Sequence, residues 1–411
     1  MKTLDYFLSL YEERGEDGEK ENARENEGFR VNVILKPFQQ EAYEAWKERG
    51  FRGTIIAPTG TGKTIIAGHA IKTLGEPTLV ICPTERILKM WRERLREKFG
   101  LTATAYYGGE KRLGRITVSI YNTVAIHHPE IMDGFKLIVL DEVHHVASEV
   151  FQRVLRLIKP EHKVMALTAT LRREDERHNQ IKAVIPVVYC LDLAEAMKRR
   201  LVAPVKVIPI PVSMNQEELK EYSEIMRRIS RTKMASVAVK DENDRKRLEQ
   251  QVRKLVNMRR QILSRLEAKK EAVYKIALKH PNERILVFSE SIKSIEEHKK
   301  YLLERGVKAE TYHSRKPEHV RDVIFSGWGK SFQVLLACRA LDEGIDVPEC
   351  GIAVIIASGM SVRQLVQRKG RIMRPREGKV AKLYVIYAQG SVEARIPQKV
   401  KAILNGLVRL Y

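Results

Sequence analysis

The chain repeatedly alternates short apolar runs with longer amphipathic stretches. Gly53–Ala57, Thr78–Cys82, Ile116–Ile120, Leu137–Leu140 and Val164–Leu167 are nearly continuous in apolar or β-branched residues. Runs of that length without polar alternation suit strands buried on both faces of a parallel sheet. Helical segments follow the first two runs, at His69–Leu74 and Leu88–Phe99, as crossover connections between parallel strands require. One α/β domain is expected over residues 31–195. A second series comprises Arg284–Phe288, Ala309–Tyr312, Gln333–Ala337, Ile352–Ile356 and Ala381–Ile386, with helices Ser294–Arg305, Pro317–Ser326 and Val362–Arg371 between them. It predicts a second parallel-sheet domain over 196–411, with Val205–Val212 joining its sheet.

Two segments break the pattern. Residues 12–28 have almost no apolar side chains and cannot repay the entropy of ordering, so 1–30 reads as a polar tail. Residues 215–270 read as a helical insertion that leaves the second domain. Asn215 is placed to cap its first helix, with Glu217 and Glu218 in the first turn. Leu248, Val252, Leu255, Val256, Met258, Ile262 and Leu266 recur at helical spacing, and Arg227–Lys270 holds 15 Lys and Arg against 5 Asp and Glu. A hairpin with strongly basic faces is expected.

Charge extends this reading to the whole chain. The 411 residues carry 74 Lys and Arg against 52 Asp and Glu, a net charge of +22. An excess of that size fits a polyanionic partner, because clustered cations release counterions on meeting phosphates. General solubility and thermophile surface composition are the alternatives, but the latter usually raises both signs together. The four cysteines, Cys82, Cys190, Cys338 and Cys350, form no CxxC pair, which argues against zinc and disulfide frameworks. With no signal core and no apolar run of membrane-spanning length, a cytoplasmic, intracellular protein is expected.

The candidate chemistry sits where strands end. The first strand runs into Ala57-Pro58-Thr59-Gly60-Thr61-Gly62-Lys63-Thr64, directly before a helix. Glycines in such a turn let backbone N–H groups wrap an anion, and the helix N-terminus adds its dipole. Lys63 then suits the β- and γ-phosphates of a nucleoside triphosphate and Thr64 a Mg²⁺ ion. A plain Gly-rich strand–helix turn is the alternative. Against it stands Leu137-Ile138-Val139-Leu140-Asp141-Glu142, an apolar strand ending in two carboxylates. Asp141 suits a metal ion, with Glu142 beside it, and Glu142 also suits activation of an attacking water. In the second domain Arg371 and Arg374 share a helix face in Gln364-x-x-Gln367-Arg368-x-Gly370-Arg371-x-x-Arg374. Guanidinium groups so placed suit the charge developing on a transferring γ-phosphoryl.

Taken in order, Gln39, AxTGxGKT, DEVH, Leu167-Thr168-Ala169-Thr170 and QxxQRxGRxxR resemble the superfamily 2 helicases from Val33 to about Ala388. The resemblance implies an α/β fold of two RecA-like domains in tandem, driven by ATP with Mg²⁺. It assigns Gln39 to the adenine edge, and Gly344 and Asp346 to the segment linking ribose and strand contacts. Thr168 and Thr170 would couple the two sites, and His144 would bridge the domains. Pro83, Thr84, Ser119, Thr123, Phe288 and Ser289 fall where the family touches the sugar-phosphate backbone. Arg173-Glu174-Asp175, just beyond Thr170, is similar to the triplet that XPB-type helicases place near strand separation, and the 215–270 insertion resembles their thumb. That branch implies a monomeric 3′-to-5′ DNA motor, in some cases paired with a nuclease. XPB-type proteins usually carry a damage-recognition domain ahead of the motor, and the polar tail is too short for one. An RNA helicase, and an ATP-driven clamp that does not unwind, stay open as alternatives.

Overall fold

A computed structural model describes residues 33–143, 149–169, 178–201, 204–338, 350–356 and 380–404. The chain divides between Ala196 and Met197 into two compact units, each built on its own sheet.

The first unit contains β1 (Arg52–Ile56), β2 (Thr78–Cys82), β3 (Thr104–Tyr107), β4 (Glu110–Lys111), β5 (Ile116–Ile120), β6 (Leu137–Asp141), β7 (Lys163–Thr168) and β8 (Val187–Cys190). Their order is β4-β3-β5-β2-β6-β7-β1-β8. Every pair is parallel except the β3–β4 hairpin at one edge. Its helices are α1 (Pro37–Glu48), α2 (Lys63–Leu74), α3 (Glu85–Phe99), α4 (Glu149–Arg156), α5 (His178–Val184) and α6 (Leu193–Lys198), the last reaching just past the division.

The strands bury both faces, and their period of two sorts the side chains. Ile55, Val80, Leu137, Val139 and Leu167 pack with α1, α2 and α3 through Trp46, Ile66, Ala70, Trp91 and Leu95. The alternate residues Ile56, Leu79, Ile81, Ile138, Leu140 and Ala166 pack on the opposite side with Tyr121, Val154 and Ile181. Continuing that alternation along β6 turns Asp141 towards α2 and α3. Gly68 allows these two helices to meet, since a Cβ there would stand 2.2 Å from the Phe99 ring.

The second unit has a six-stranded, wholly parallel sheet in the order β11-β12-β10-β13-β14-β9. These strands are β9 (Val205–Val212), β10 (Ile285–Ser289), β11 (Ala309–His313), β12 (Val334–Cys338), β13 (Ile352–Ile355) and β14 (Ala381–Ala388). Between β9 and β10 come α7 (Gln216–Ala238), α8 (Glu242–Ser264) and α9 (Glu267–Lys279), followed later by α10 (Ile292–Leu303), α11 (Glu318–Gly327) and α12 (Ile396–Leu404).

The helical hairpin is α7 packed on α8. Its inner seam is thin, consisting of Ile225, Ile229 and Leu255 with partly buried Met226, Val256 and Ile262. Asn215 caps α7 by accepting from the Glu218 backbone N–H, while Glu218 returns a bond to the Asn215 N–H, a reciprocal capping box. Residues 267–270 were expected to belong to this insertion but instead open α9, a core helix. Ala272, Val273, Ile276 and Ala277 form its buried stripe against Ile285, Val287 and Val354. Lys269, which contributed to the basic count, is wholly buried and donates to both carboxylate oxygens of Glu393 and to the Ile356 carbonyl. The projecting hairpin therefore ends near Ser264.

Candidate nucleotide-hydrolysis site

The Gly-rich turn leaves β1 at Ile56 and enters α2 at Lys63. Gly60 and Gly62 have φ of 85° and 92°, in the left-handed region that L side chains rarely adopt. Gly62 is doubly constrained, because a Cβ there would lie 2.6 Å from Gln39 Nε2. No side chain caps α2, which leaves its first-turn N–H groups uncommitted to a cap and suited to an anion. Thr61 donates its hydroxyl to the Pro58 carbonyl at 2.7 Å, and the Lys63 ammonium donates to the Ala57 carbonyl at 2.9 Å. Thus Ala57, Pro58, Thr59, Gly60, Thr61, Gly62, Lys63 and Thr64 form one closed turn at the C-terminal edge of the sheet, where open α/β sheets bind ligands.

Gln39 is only 3% exposed. Its Nε2 donates to the Thr61 carbonyl at 3.1 Å and its Oε1 accepts from the Lys36 N–H at 2.9 Å. The carboxamide thus braces the turn from α1. At this burial Gln39 is not a solvent-exposed polar residue of the helix start.

The two carboxylates follow one another at the C-terminal end of β6, the same sheet edge from which the Gly-rich turn leaves β1. Asp141 ends β6 and is 6% exposed; Glu142 follows at 8%. Asp141 Oδ1 accepts from the Glu142 N–H at 2.9 Å, and Oδ2 accepts from the Trp91 indole Nε1–H at 2.8 Å. The Asp141 carbonyl accepts from the Tyr121 hydroxyl at 2.8 Å. Glu142 has φ 49°, a conformation that costs a non-glycine residue roughly 1–2 kcal/mol and that clusters at functional sites. Two neighbouring groups, Cys82 and Tyr121, stay neutral. Burial, reinforced by the Asp141 charge, pushes the Cys82 thiol and the Tyr121 phenol well above their ordinary values.

Thr64, near the start of α2, accepts from Arg94 Nη1 at 3.2 Å. Neither Trp91 nor Arg94 was singled out from sequence. The contact between Trp91 and Asp141 spans 50 positions of chain, beyond the reach of any local pattern.

Thr64, Asp141 and Glu142 supply hard oxygen donors only. Among the described residues no group of three or more His, Cys, Asp or Glu could hold a metal ion. That donor set fits Mg²⁺, which takes one or two carboxylates and fills its remaining positions with water and substrate phosphate oxygens. When bound, such an ion neutralises charge on the β- and γ-phosphate oxygens.

The expected strand-contact residues divide by exposure. Pro83 and Thr84 are half-buried at the start of α3, where the Thr84 hydroxyl accepts from the Ile87 N–H at 3.4 Å. Ser119, Thr123, Phe288 and Ser289 are buried. Ser119 donates to the Tyr106 carbonyl at 2.6 Å, and Ser289 accepts from the Ser291 N–H at 3.3 Å. The Ser119 hydroxyl proton is thus committed inside the unit, whereas Ser289, an acceptor in its bond, keeps its own proton to donate. His144, Thr170, Arg173, Glu174, Asp175, Gly344, Asp346, Arg371 and Arg374 lie outside the described residues.

Comparison with known proteins accounts for this arrangement. Residues 32–173 match the family model of the type III restriction enzyme res subunit, and residues 268–376 match that of the helicase conserved C-terminal domain. The DNA 3′-5′ translocase XPB2 of Sulfurisphaera tokodaii is 29% identical over 89% of this chain and 84% of its own. The putative DNA 3′-5′ helicase Rad25 of Halobacterium salinarum is 30% identical over 88% of this chain, which spans 56% of that longer relative. The DNA 3′-5′ helicase XPB of Mycobacterium tuberculosis is 26% identical, and the chain spans 62% of its length. In structure, the Hef helicase domain of Pyrococcus furiosus aligns with a TM-score of 0.58 over 89% of this chain and 98% of its own, at 18% identity; it shares the fold. The two family matches, one in each half, together with XPB relatives along nearly the whole chain, support an XPB-like helicase of superfamily 2.

Proposed function

We propose that this protein is a DNA-dependent ATPase that moves 3′-to-5′ along a strand and separates duplex ahead of it. The observation that carries the reading is the convergence of Lys63, Thr64, Asp141 and Glu142 at one sheet edge, in a chain whose relatives are DNA helicases and translocases. In this reading Lys63 neutralises the β- and γ-phosphates, while Thr64 and Asp141 hold Mg²⁺, with Glu142 beside them. Glu142 also accepts the proton of the attacking water. By the family resemblance, Arg371 and Arg374 would meet the charge developing on the γ-phosphoryl, and Gly344 and Asp346 would belong to the segment linking ribose and strand contacts. The domain limits follow the same reading, with a tail over 1–30 and motor domains over 31–195 and 196–411, the basic hairpin being an insertion within the second.

The strand would be gripped through Pro83 and Thr84, with Arg173-Glu174-Asp175 at the fork and the hairpin's exposed cations on the phosphates. Arg227, Arg228, Arg231, Lys233, Arg253 and Lys254 are all exposed on α7 and α8, a density suited to sequence-independent phosphate contact. A nuclease partner and a monomeric motor are further parts of the proposal, supported by family resemblance alone. Among the described residues no helix is long and apolar enough to cross a membrane.

An ATPase panel over single-stranded, duplex and forked DNA and matched RNA, at one low salt concentration, tests this function. DNA is expected to stimulate hydrolysis more than RNA, with ATP-dependent strand displacement on the fork. Stronger stimulation by RNA would move the substrate to RNA. DNA-stimulated hydrolysis without displacement would make the protein an ATP-driven clamp.

A further inference from the structure

The helix α3 touches both side chains that the hydrolytic reading assigns to the metal. Trp91 and Arg94 are three residues apart, so they share one helix face. The Trp91 indole donates to Asp141 Oδ2 at 2.8 Å and the Arg94 guanidinium to the Thr64 hydroxyl at 3.2 Å. Trp91 is fully buried, and a buried indole N–H needs a hydrogen-bond partner. Any backbone carbonyl within reach would satisfy that need. Here the partner is an ionised side chain at the end of an otherwise apolar strand, giving a charge-assisted bond.

The consequence for Asp141 is orientational. Its Oδ1 is engaged by the Glu142 N–H and its Oδ2 by Trp91, so donors on both oxygens hold the carboxylate plane against rotation. The same helix starts at Thr84, beside Pro83, where the strand is proposed to bind. From Thr84 to Arg94 the helix spans roughly 15 Å, and the Trp91 ring packs in the core shared by α1, α2 and α3.

We propose that Trp91 is a positioning residue for hydrolysis: its indole N–H fixes the Asp141 carboxylate in the orientation that binds Mg²⁺. The inference rests on the hydrolytic reading of Asp141. Trp91 acts through Asp141, the partner of its indole N–H. A second fully buried indole, Trp46, provides an internal comparison, because it donates at 2.7 Å to the Val164 carbonyl in the same unit.

The test is Mn²⁺ affinity, measured by electron paramagnetic resonance on the full chain in the presence of ADP, for wild type, Trp91→Phe and Trp46→Phe. Phenylalanine keeps most of the ring volume and removes the N–H in both variants. Trp91→Phe is expected to weaken Mn²⁺ binding by roughly ten- to a hundredfold, the usual effect of losing an outer-shell partner of a metal ligand, whereas Trp46→Phe leaves it unchanged. Equal affinities in all three proteins, or equal losses in both variants, would overturn the proposal. If wild type bound no Mn²⁺ with ADP, the hydrolytic reading itself would fail. Should Trp91→Phe not fold, the wild-type indole resonances decide. With Trp46 and Trp328 assigned by their own Phe variants, the Trp91 Nε1–H signal must shift when Mg²⁺ joins ADP. A stationary signal would overturn the proposal equally.

Discussion

Lys63, Asp141 and Glu142 are drawn together from positions almost 80 residues apart in the chain, and each does a different electrostatic task in the proposed reaction. Binding and chemistry should therefore separate on substitution. Glu142→Gln keeps the side-chain shape and the Glu142 N–H bond to Asp141 but removes the base. It is expected to bind ATP near the wild-type level and to hydrolyse it at least a hundredfold more slowly, about 2.7 kcal/mol in the barrier. Lys63→Ala is expected to lose affinity and turnover together. Filter binding and single-turnover hydrolysis read the two effects apart. These residues were legible in sequence because each sits at a strand end or in the turn just beyond one, marked by its own short pattern. Trp91, Arg94 and the bracing contacts of Gln39 were not. Their roles depend on which residue of one helix faces which strand end, and that is fixed by packing across dozens of positions.

Among the elements, those with continuous apolar runs matched their sequence pattern to within one or two residues, as β2, β5 and β9 show. The strands missing from the pattern are β3, β4 and β8. The first two lie at one sheet edge and β8 at the other; β8 is only partly buried throughout. An edge strand covered on fewer sides has no need of an unbroken apolar run.

The helix α10 makes a further testable point. Its buried face carries Ser294, Ile295, His298 and Leu302, and Ser294 donates its hydroxyl to the Ser264 carbonyl, tying it to the end of the hairpin. His298 Nδ1 lies 2.8 Å from the Ser294 carbonyl; a carbonyl only accepts, so that nitrogen carries the proton. Nε2 is buried without a hydrogen-bond partner among the described residues. Burial pushes the imidazole from 6.5 down to about 4. The unfolded chain therefore binds a proton that the folded chain refuses between those values, and stability falls as pH drops from 6.5 towards 4. By linkage the loss approaches roughly 3 kcal/mol at the acid end. Urea unfolding of wild type and His298→Leu between pH 4.5 and 7 should show a shallower acid decline in the variant. Parallel declines would remove His298 from this account.

For the whole molecule, the sequence pattern anticipated two parallel sheets and a basic helical excursion, because strand runs and charge bias are both local signals. It overran the hairpin by a few residues, since Lys269 reads as surface charge until its buried pairing with Glu393 is seen. Burial depresses the Lys269 ammonium and the Glu393 carboxylate opposes that shift, so the pair belongs to the core of the second unit and contributes nothing to a phosphate-facing surface. The cations that remain exposed on α7 and α8 outnumber those held by neighbouring acids. Ion pairs join Arg245 to Glu249, Lys246 to Glu242 and Arg247 to Asp244, all exposed and each worth at most about 1 kcal/mol.

In the proposed function, ATP turnover at the Gly62–Lys63 turn drives directed movement on DNA. Streptavidin displacement from single-stranded DNA biotinylated at one end measures that movement most directly. Movement in the 3′-to-5′ direction gives ATP-dependent displacement from the 5′ end, little from the 3′ end, and none from either end with Lys63→Ala. Displacement favouring the 3′ end, or displacement that persists in Lys63→Ala, would contradict it.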